Sequence, residues 1–141
     1  LATQKQLISC LAEDGICAGL LTLPWRSEDY FSRIKGLENE PEEGKRCLEC
    51  FKIRLEETAR VAAERGFDWF CTTLTVSSRK DAVVINAIGR EAEKKYDVRW
   101  LPSEFKKREG NHRSIILSEK YGLYRQEYCG CVFSLNGGSN E

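Results

Sequence analysis

Four of the seven cysteines in this chain form two close pairs: Cys47 and Cys50 in GKRCLECF, and Cys129 and Cys131 in RQEYCGCVFS. Thiols at such spacings hold a metal or an iron–sulfur cluster, or they cycle between dithiol and disulfide. Cys47 and Cys50 stand at i and i+3 at the start of a long helical pattern, which puts both sulfurs on one helix face. Unpaired backbone N–H groups at a helix start suit negative charge on sulfur, and Lys45 and Arg46 add to it. Cys129 and Cys131 share a face in either a strand or a tight loop, and Gly130 lets the backbone approach a bulky ligand. Four thiolates suit zinc or an iron–sulfur cluster, and the two pairs can close on one centre only through the fold.

The other three cysteines are isolated. Cys10, Cys17 and Cys71 lie in apolar stretches, where a single thiol reads as a small packed hydrophobe. Seven cysteines in a chain that opens without a secretory signal point to metal or redox chemistry in a reducing compartment, so the expected location is the cytoplasm. No apolar run approaches the roughly 20 residues that span a bilayer. The 22 basic and 22 acidic side chains cancel, so contact with nucleic acid has to come from a local patch. The chain opens on leucine and contains no methionine, which reads as a fragment or a processed product.

Elements able to position these thiols alternate along 141 residues, a length that suits one domain. Residues 3–14 place Leu7, Ile8 and Leu11 on one helical face, and Gly15 ends the run. The apolar run 16–23 before Pro24 reads as a buried strand. Residues 27–36 form a short helix stacking Tyr30, Phe31 and Ile34, followed by an acidic loop over 37–45. A long helix from Arg46 to Arg65 buries Leu48, Phe51, Leu55, Ala59 and Ala62 and stops at Gly66. Residues 67–76 read as a strand, Ser77 or Ser78 caps a helix from about Lys80 to Tyr96, and 97–102 is another strand. A basic loop, 105–113, precedes a helix through Lys120. Residues 1–134 are expected to form a single α/β domain, with 135–141 a flexible tail.

Strands separated by helices predict an α/β fold, a parallel sheet with helices on both faces. Such folds usually open with a strand, and this chain opens with a helix. The first strand is therefore expected to be missing, in line with the absent methionine.

From about Phe31 to Ser134 the sequence resembles the epoxyqueuosine reductase QueH family. The resemblance rests on KGLENEPEEGKRCLECFKIRLEETA, FDWFCTTLTVSSRKD and FKKREGNHRSIILSEKYGLYRQEYCGC. It implies a Rossmann-like (HUP/PP-loop-like) fold and an oxidoreductase that removes the epoxide oxygen from epoxyqueuosine at the tRNA wobble position, completing queuosine biosynthesis. It also implies a [4Fe–4S] cluster with an additional iron beside it. Cys47, Cys50, Cys129 and Cys131 would be the ligands in this sequence, with Cys129 and Cys131 also the catalytic pair, as ligands or as a cycling dithiol. Two departures stand out. The Cys-Cys-Ala-Pro-Cys cluster that family members carry at the end of the first strand has no counterpart here, and SSRKD lacks the proline more often found after its first serine.

A tRNA substrate needs phosphate contacts, and the resemblance turns attention to the basic residues. Lys106, Lys107, Arg108, His112 and Arg113 face one acid, Glu109, and Arg125 stands just before the second cysteine pair. Tyr124 and Tyr128 flank Arg125 and could stack on an extruded base. The implied partners are a tRNA bearing epoxyqueuosine and an electron donor, with no membrane; nothing in the sequence speaks to oligomeric state. Two other readings compete. One is a structural Cys₄ zinc domain without catalysis. The other is a nucleotide-dependent tRNA-thiolation enzyme, which needs a glycine- and serine-rich phosphate loop that the sequence lacks.

Overall fold

The computed structural model describes residues 1–24, 26–105, 109–126 and 128–135. Eight helices and strands are found among them, in the order α1 (Ala2–Glu13), α2 (Ser27–Arg33), α3 (Lys45–Glu64), β1 (Trp69–Phe70), α4 (Ala82–Tyr96), β2 (Arg99–Trp100), α5 (Gly110–Lys120) and α6 (Val132–Leu135). A 3₁₀ turn at Leu74–Val76 lies between β1 and α4. The chain divides into two compact units, Ser27–Asn111 and a second made of Leu1–Arg26 with His112–Glu141.

The unit Ser27–Asn111 is α/β, with a small parallel sheet and mostly helices. β1 and β2 run parallel, pairing Trp69 with Arg99 and Phe70 with Trp100, and α4 connects them, as a parallel pair requires. The pleat sends Phe70 and Trp100 inward and leaves Trp69 and Arg99 outside, where the Arg99 guanidinium lies 4.8 Å from the Trp69 ring centroid. Helix α3 buries Cys47, Phe51, Leu55, Ala59 and Ala62, the near-four-residue spacing of one helical stripe. From α4 come Ile85, Ile88, Gly89 and Ala92. Together with Phe70, Val98 and Trp100 these make the core, with Leu48 packed at its margin.

Trp100 sets how closely α4 approaches the sheet. A Cβ added at Gly89 would fall 2.3 Å from the indole, so the ring occupies the space that a side chain at 89 would fill. The indole Nε1 donates to Asn86 Oδ1 at 3.0 Å, and the Trp100 amide donates to Glu93 Oε1 at 3.0 Å. Asn86 Nδ2 donates to the carbonyls of Ala82 and Ser103, at 2.8 and 2.9 Å. Its Oδ1 also accepts from Ser103 N at 3.1 Å, so the amide is bonded on both ends.

Several elements depart from the sequence expectations. Residues 16–23 form no strand; Ile16, Leu20, Leu21 and Leu23 are exposed and irregular. A strand is stable only when a neighbour takes up its backbone groups, and this run joins no ladder among the described residues. The expected strands 67–76 and 97–102 shrink to two residues each. Hydroxyls compete for the backbone beyond Phe70: Thr72 Oγ1 accepts from Leu74 N, and the fully buried Thr75 hydroxyl meets Ser103 Oγ at 3.0 Å.

Helix α4 is capped by Asp81, whose carboxylate accepts from Val83 N at 2.8 Å and Val84 N at 3.4 Å, rather than by Ser77 or Ser78. α2 ends at Arg33, and Phe31 is exposed while Tyr30 and Ile34 are buried. Gly110 to Arg113 belong to α5 rather than to a loop. Cys17 and Cys71 are exposed, because the strands expected to bury them do not extend to those positions.

In the second unit, α1 and α5 bury no residue completely. Polar contacts join them: Gln6 Nε2 donates to Tyr121 O at 2.9 Å, and the Lys120 ammonium lies 2.7 Å from Asp14. The Tyr121 hydroxyl also donates to Asp14. Lys120, and then Tyr121, hold the Asp14 carboxyl below the usual carboxylate range. Leu7, Ile8 and Leu11 of α1 are half-buried. Leu135 closes α6; the rest of the expected tail, 136–141, lies outside the described residues. Among the described residues no helix is long and apolar enough to cross a membrane.

Gly89→Ala gains about 1 kcal/mol in helix propensity but must displace a ring held by hydrogen bonds. The clash dominates, and the variant is expected to lose about 2 kcal/mol, read as a lower urea midpoint with an unchanged denaturant slope.

Candidate metal and substrate site

Residues 37–44 are wrapped over the start of α3 by hydrogen bonds with the helix. Arg46 is 5% exposed, and its Nη1 donates to the carbonyls of Glu38 and Glu40, at 2.8 and 2.6 Å. The Glu40 carboxylate accepts from Lys45 N at 3.0 Å, satisfying one of the open donors of the first helical turn. Gly44 is tightly enclosed: a Cβ there would lie 2.7 Å from Glu40 Oε2, the movable end of that side chain, and 3.1 Å from the Pro41 carbonyl.

Cys47 faces inward from the first turn of α3 and is 7% exposed. Its Sγ accepts the backbone N–H of Glu43 at 3.3 Å. Glu43 reaches that position with φ at 72°, a left-handed conformation that costs a residue with a side chain roughly 1–2 kcal/mol. Cys50 follows one turn later and is half-buried. Helix α3 thus presents a pair of sulfurs on one face, with an N–H aimed at the first. Soft sulfur donors with a backbone hydrogen bond to sulfur are what an iron–sulfur or zinc site uses, so the donor chemistry of this pair fits a metal.

The second pair resolves to a tight turn rather than a strand. Gly130 takes φ 87° between Cys129 and Cys131, and both cysteines are half-buried. The Cys131 carbonyl accepts from Ser134 Oγ at 2.8 Å and Ser134 N at 3.1 Å, which anchors the turn to α6. Just upstream, Arg125 Nη1 donates to Ser114 Oγ at 3.3 Å and Ser118 Oγ at 3.1 Å, so α5 holds the guanidinium through neutral hydroxyls. Tyr124 and Tyr128 are 69% and 42% exposed, leaving their rings available to a partner. His112 and Arg113 are exposed on the first turn of α5. Lys106, Lys107 and Arg108 lie outside the described residues.

The structure therefore brings Cys47 to Cys50 within one compact unit and Cys129 to Cys131 within the other, with Arg125 in the second unit too. Among the described residues no group of three or more His, Cys, Asp and Glu side chains is gathered as a metal ion needs. Sequence reasoning missed two residues of the first site. The sequence reads Arg46 as a source of positive charge, and the structure shows that it holds the loop. Lys80 seemed a helix-start residue, yet it is buried, 3.5 Å from Glu42 of the same loop. A basic residue directly before a CxxC, and another directly before a capping aspartate, were the available signals.

A family profile described as Epoxyqueuosine reductase QueH matches residues 5–137. The chain belongs to the epoxyqueuosine reductase QueH family. An epoxyqueuosine reductase QueH of Streptococcus pyogenes serotype M1 is 42% identical over 132 residues, 94% of this chain and 52% of that protein. The Staphylococcus epidermidis protein of the same name is 48% identical over 103 residues, 73% of this chain and 43% of its own length. For that of Staphylococcus aureus the identity is 47% over 113 residues, 79% and 47% of the two chains. The chain spans about half the length of the curated QueH relatives it matches. The match takes in both cysteine pairs, the acidic loop and the Arg125 segment.

Arg46→Lys retains the charge but replaces a rigid fork with a single ammonium. The variant is expected to lose about 1.5–3 kcal/mol of stability, read by denaturant unfolding, with faster proteolytic cutting within residues 37–44.

Proposed function

We propose that this chain carries out the reaction for which its relatives are named, reduction of epoxyqueuosine, acting on the nucleoside within tRNA at the wobble position. Family membership across residues 5–137 is the observation that carries the reading. Removal of the epoxide oxygen to leave an alkene takes two electrons and two protons and releases water. A one-electron carrier must deliver the electrons in two steps. In this reading Cys47, Cys50, Cys129 and Cys131 would hold a [4Fe–4S] cluster and an additional iron, and when bound that centre supplies the redox chemistry.

The chain's own residues supply position. Arg46 and the 37–44 loop keep Cys47 turned inward with the Glu43 N–H on its sulfur, and Gly130 lets Cys129 and Cys131 share one turn. The substrate is a polyanion, and the phosphate contacts are assigned to Lys106, Lys107, Arg108, Arg113 and Arg125. Among the described residues the bonds found for Arg125 are to uncharged serines, which leaves its positive charge for a phosphate. Tyr124 and Tyr128 offer exposed rings for stacking on an unpaired base. The parallel β1–α4–β2 unit supports a Rossmann-like, HUP-type arrangement, and a tRNA substrate supports a cytoplasmic location.

Two measurements test this. Serine at Cys47, Cys50, Cys129 or Cys131 is expected to lower iron affinity more than roughly tenfold, as ligand-shell changes do, in anaerobically purified protein. Cys17→Ser and Cys71→Ser leave it unchanged. Undiminished iron in the four variants removes the thiol-ligand assignment, and one bound zinc with no visible absorbance replaces it with a structural Cys₄ site. The double variant Lys106→Glu, Lys107→Glu is expected to weaken tRNA binding most at low salt, reducing the slope of log K against log salt by about 1.4, two single-strand phosphate contacts' worth. An unchanged slope takes the basic segment out of the interface.

A further inference from the structure

Lys80 is 6% exposed, an unusual place for an ammonium, since burial disfavours the charge unless something compensates it. Glu42 and Phe51 are among its neighbours. Glu42 Oε1 lies 3.5 Å away, and the Phe51 ring lies beneath it, 5.7 Å from Nζ to the centroid. Both connect to Cys47. Phe51 follows Cys47 by one turn on the same face of α3, and both are core residues. Glu42 directly precedes Glu43, the residue whose strained backbone delivers its N–H to the Cys47 sulfur. Arg79, next to Lys80, places its guanidinium 3.5 Å from the other Glu42 oxygen.

The loop is thus held along both of its halves. Arg46 holds its first half by the carbonyls of Glu38 and Glu40. Buried Lys80, just before α4 and with exposed Arg79 beside it, holds its second half by the Glu42 carboxylate. The half held by Lys80 contains the left-handed residue, and a residue with a side chain stays in that conformation only when its surroundings require it.

We infer that Lys80 is a positioning residue for Cys47: through Glu42 it keeps residues 42–43 closed over the thiol and the Glu43 N–H directed at its sulfur. It sets the access and hydrogen bonding of a thiol that the proposed function assigns to a metal, and only that consequence rests on the earlier reading. The measurement below reads thiol access, not iron or turnover, so the two can fail separately.

The test is the rate at which N-ethylmaleimide alkylates each cysteine in the purified, reduced protein, followed by peptide mass spectrometry, with exposed Cys71 as the internal reference. Lys80→Met keeps the stem and removes the charge. Glu42→Gln removes the partner charge at a more exposed position and guards against a folding defect in the first variant. Both are expected to accelerate Cys47 about tenfold, the scale of a local opening made 1.4 kcal/mol easier, while Cys71 is unchanged. Lys80→Arg, which retains a cation able to reach Glu42, is expected to restore the slow rate. An unchanged Cys47 rate in both charge-removing variants overturns the inference. So does a uniform rise at every cysteine in Glu42→Gln, or a failure of arginine to rescue.

Discussion

The indole of Trp100 rests against α4 where residue 89 has no side chain, and the packing of the α/β unit follows from that approach. Bare backbone at Gly89 lets helix and strand come close enough for the ring to fill the gap. Asn86 and Glu93, on the same helix, take up the indole N–H and the Trp100 amide. Two-residue strands contribute few ladder bonds. Side-chain hydrogen bonds from α4 to the end of β2, and from Ser103 back to Thr72 and Thr75, hold the strand ends in place instead. The parallel pair depends on packing more than on its ladder.

Buried charge plays a corresponding role at the start of α3. Arg46 and Lys80 are among the few charged residues removed from water, and both grip the acidic segment 37–44. Arg46 acts on carbonyl groups and Lys80 on a carboxylate, so the two grips have different electrostatic character. Glu49, next on the helix, faces Lys52 and Arg33, and those cations hold its carboxyl below the usual range despite partial burial. This second ion-pair group ties α2 to α3 and leaves the sulfur-bearing face to Cys47 and Cys50.

Membership of the QueH family gives these features a chemical setting. The family match includes both cysteine pairs, the loop that covers Cys47, and the segment that carries Arg125 with its two tyrosines. Cys47 and Cys50 stand at i and i+3 at the start of α3, and Cys129 and Cys131 flank a glycine in a turn. The first spacing follows the 3.6-residue repeat of a helix, the second a left-handed glycine.

Features governed by neighbours along the chain were legible in the sequence. The long helix and its stripe of Phe51, Leu55, Ala59 and Ala62, its stop at Gly66, and the shared face of Cys47 and Cys50 all follow from helical periodicity. The glycine between Cys129 and Cys131 marked one of the two expected geometries, a tight turn, which forms with Gly130 at φ 87°, and the motifs carried the family. What depends on groups distant in sequence was not legible. Residues 16–23 have the composition of a strand, but composition does not provide a partner edge. Serines before α4 looked like its cap until Asp81 proved to hold the amides. The sequence reads Arg46 as a charge beside the thiols and Lys80 as a helix start; their burial is decided by what packs over each side chain, and the acidic loop that they hold has no periodicity to read. Local repeat and residue chemistry determined the elements and the thiol pairs; only the tertiary structure decided which charges left water to hold the loop over Cys47, because their compensation comes from groups elsewhere in the fold.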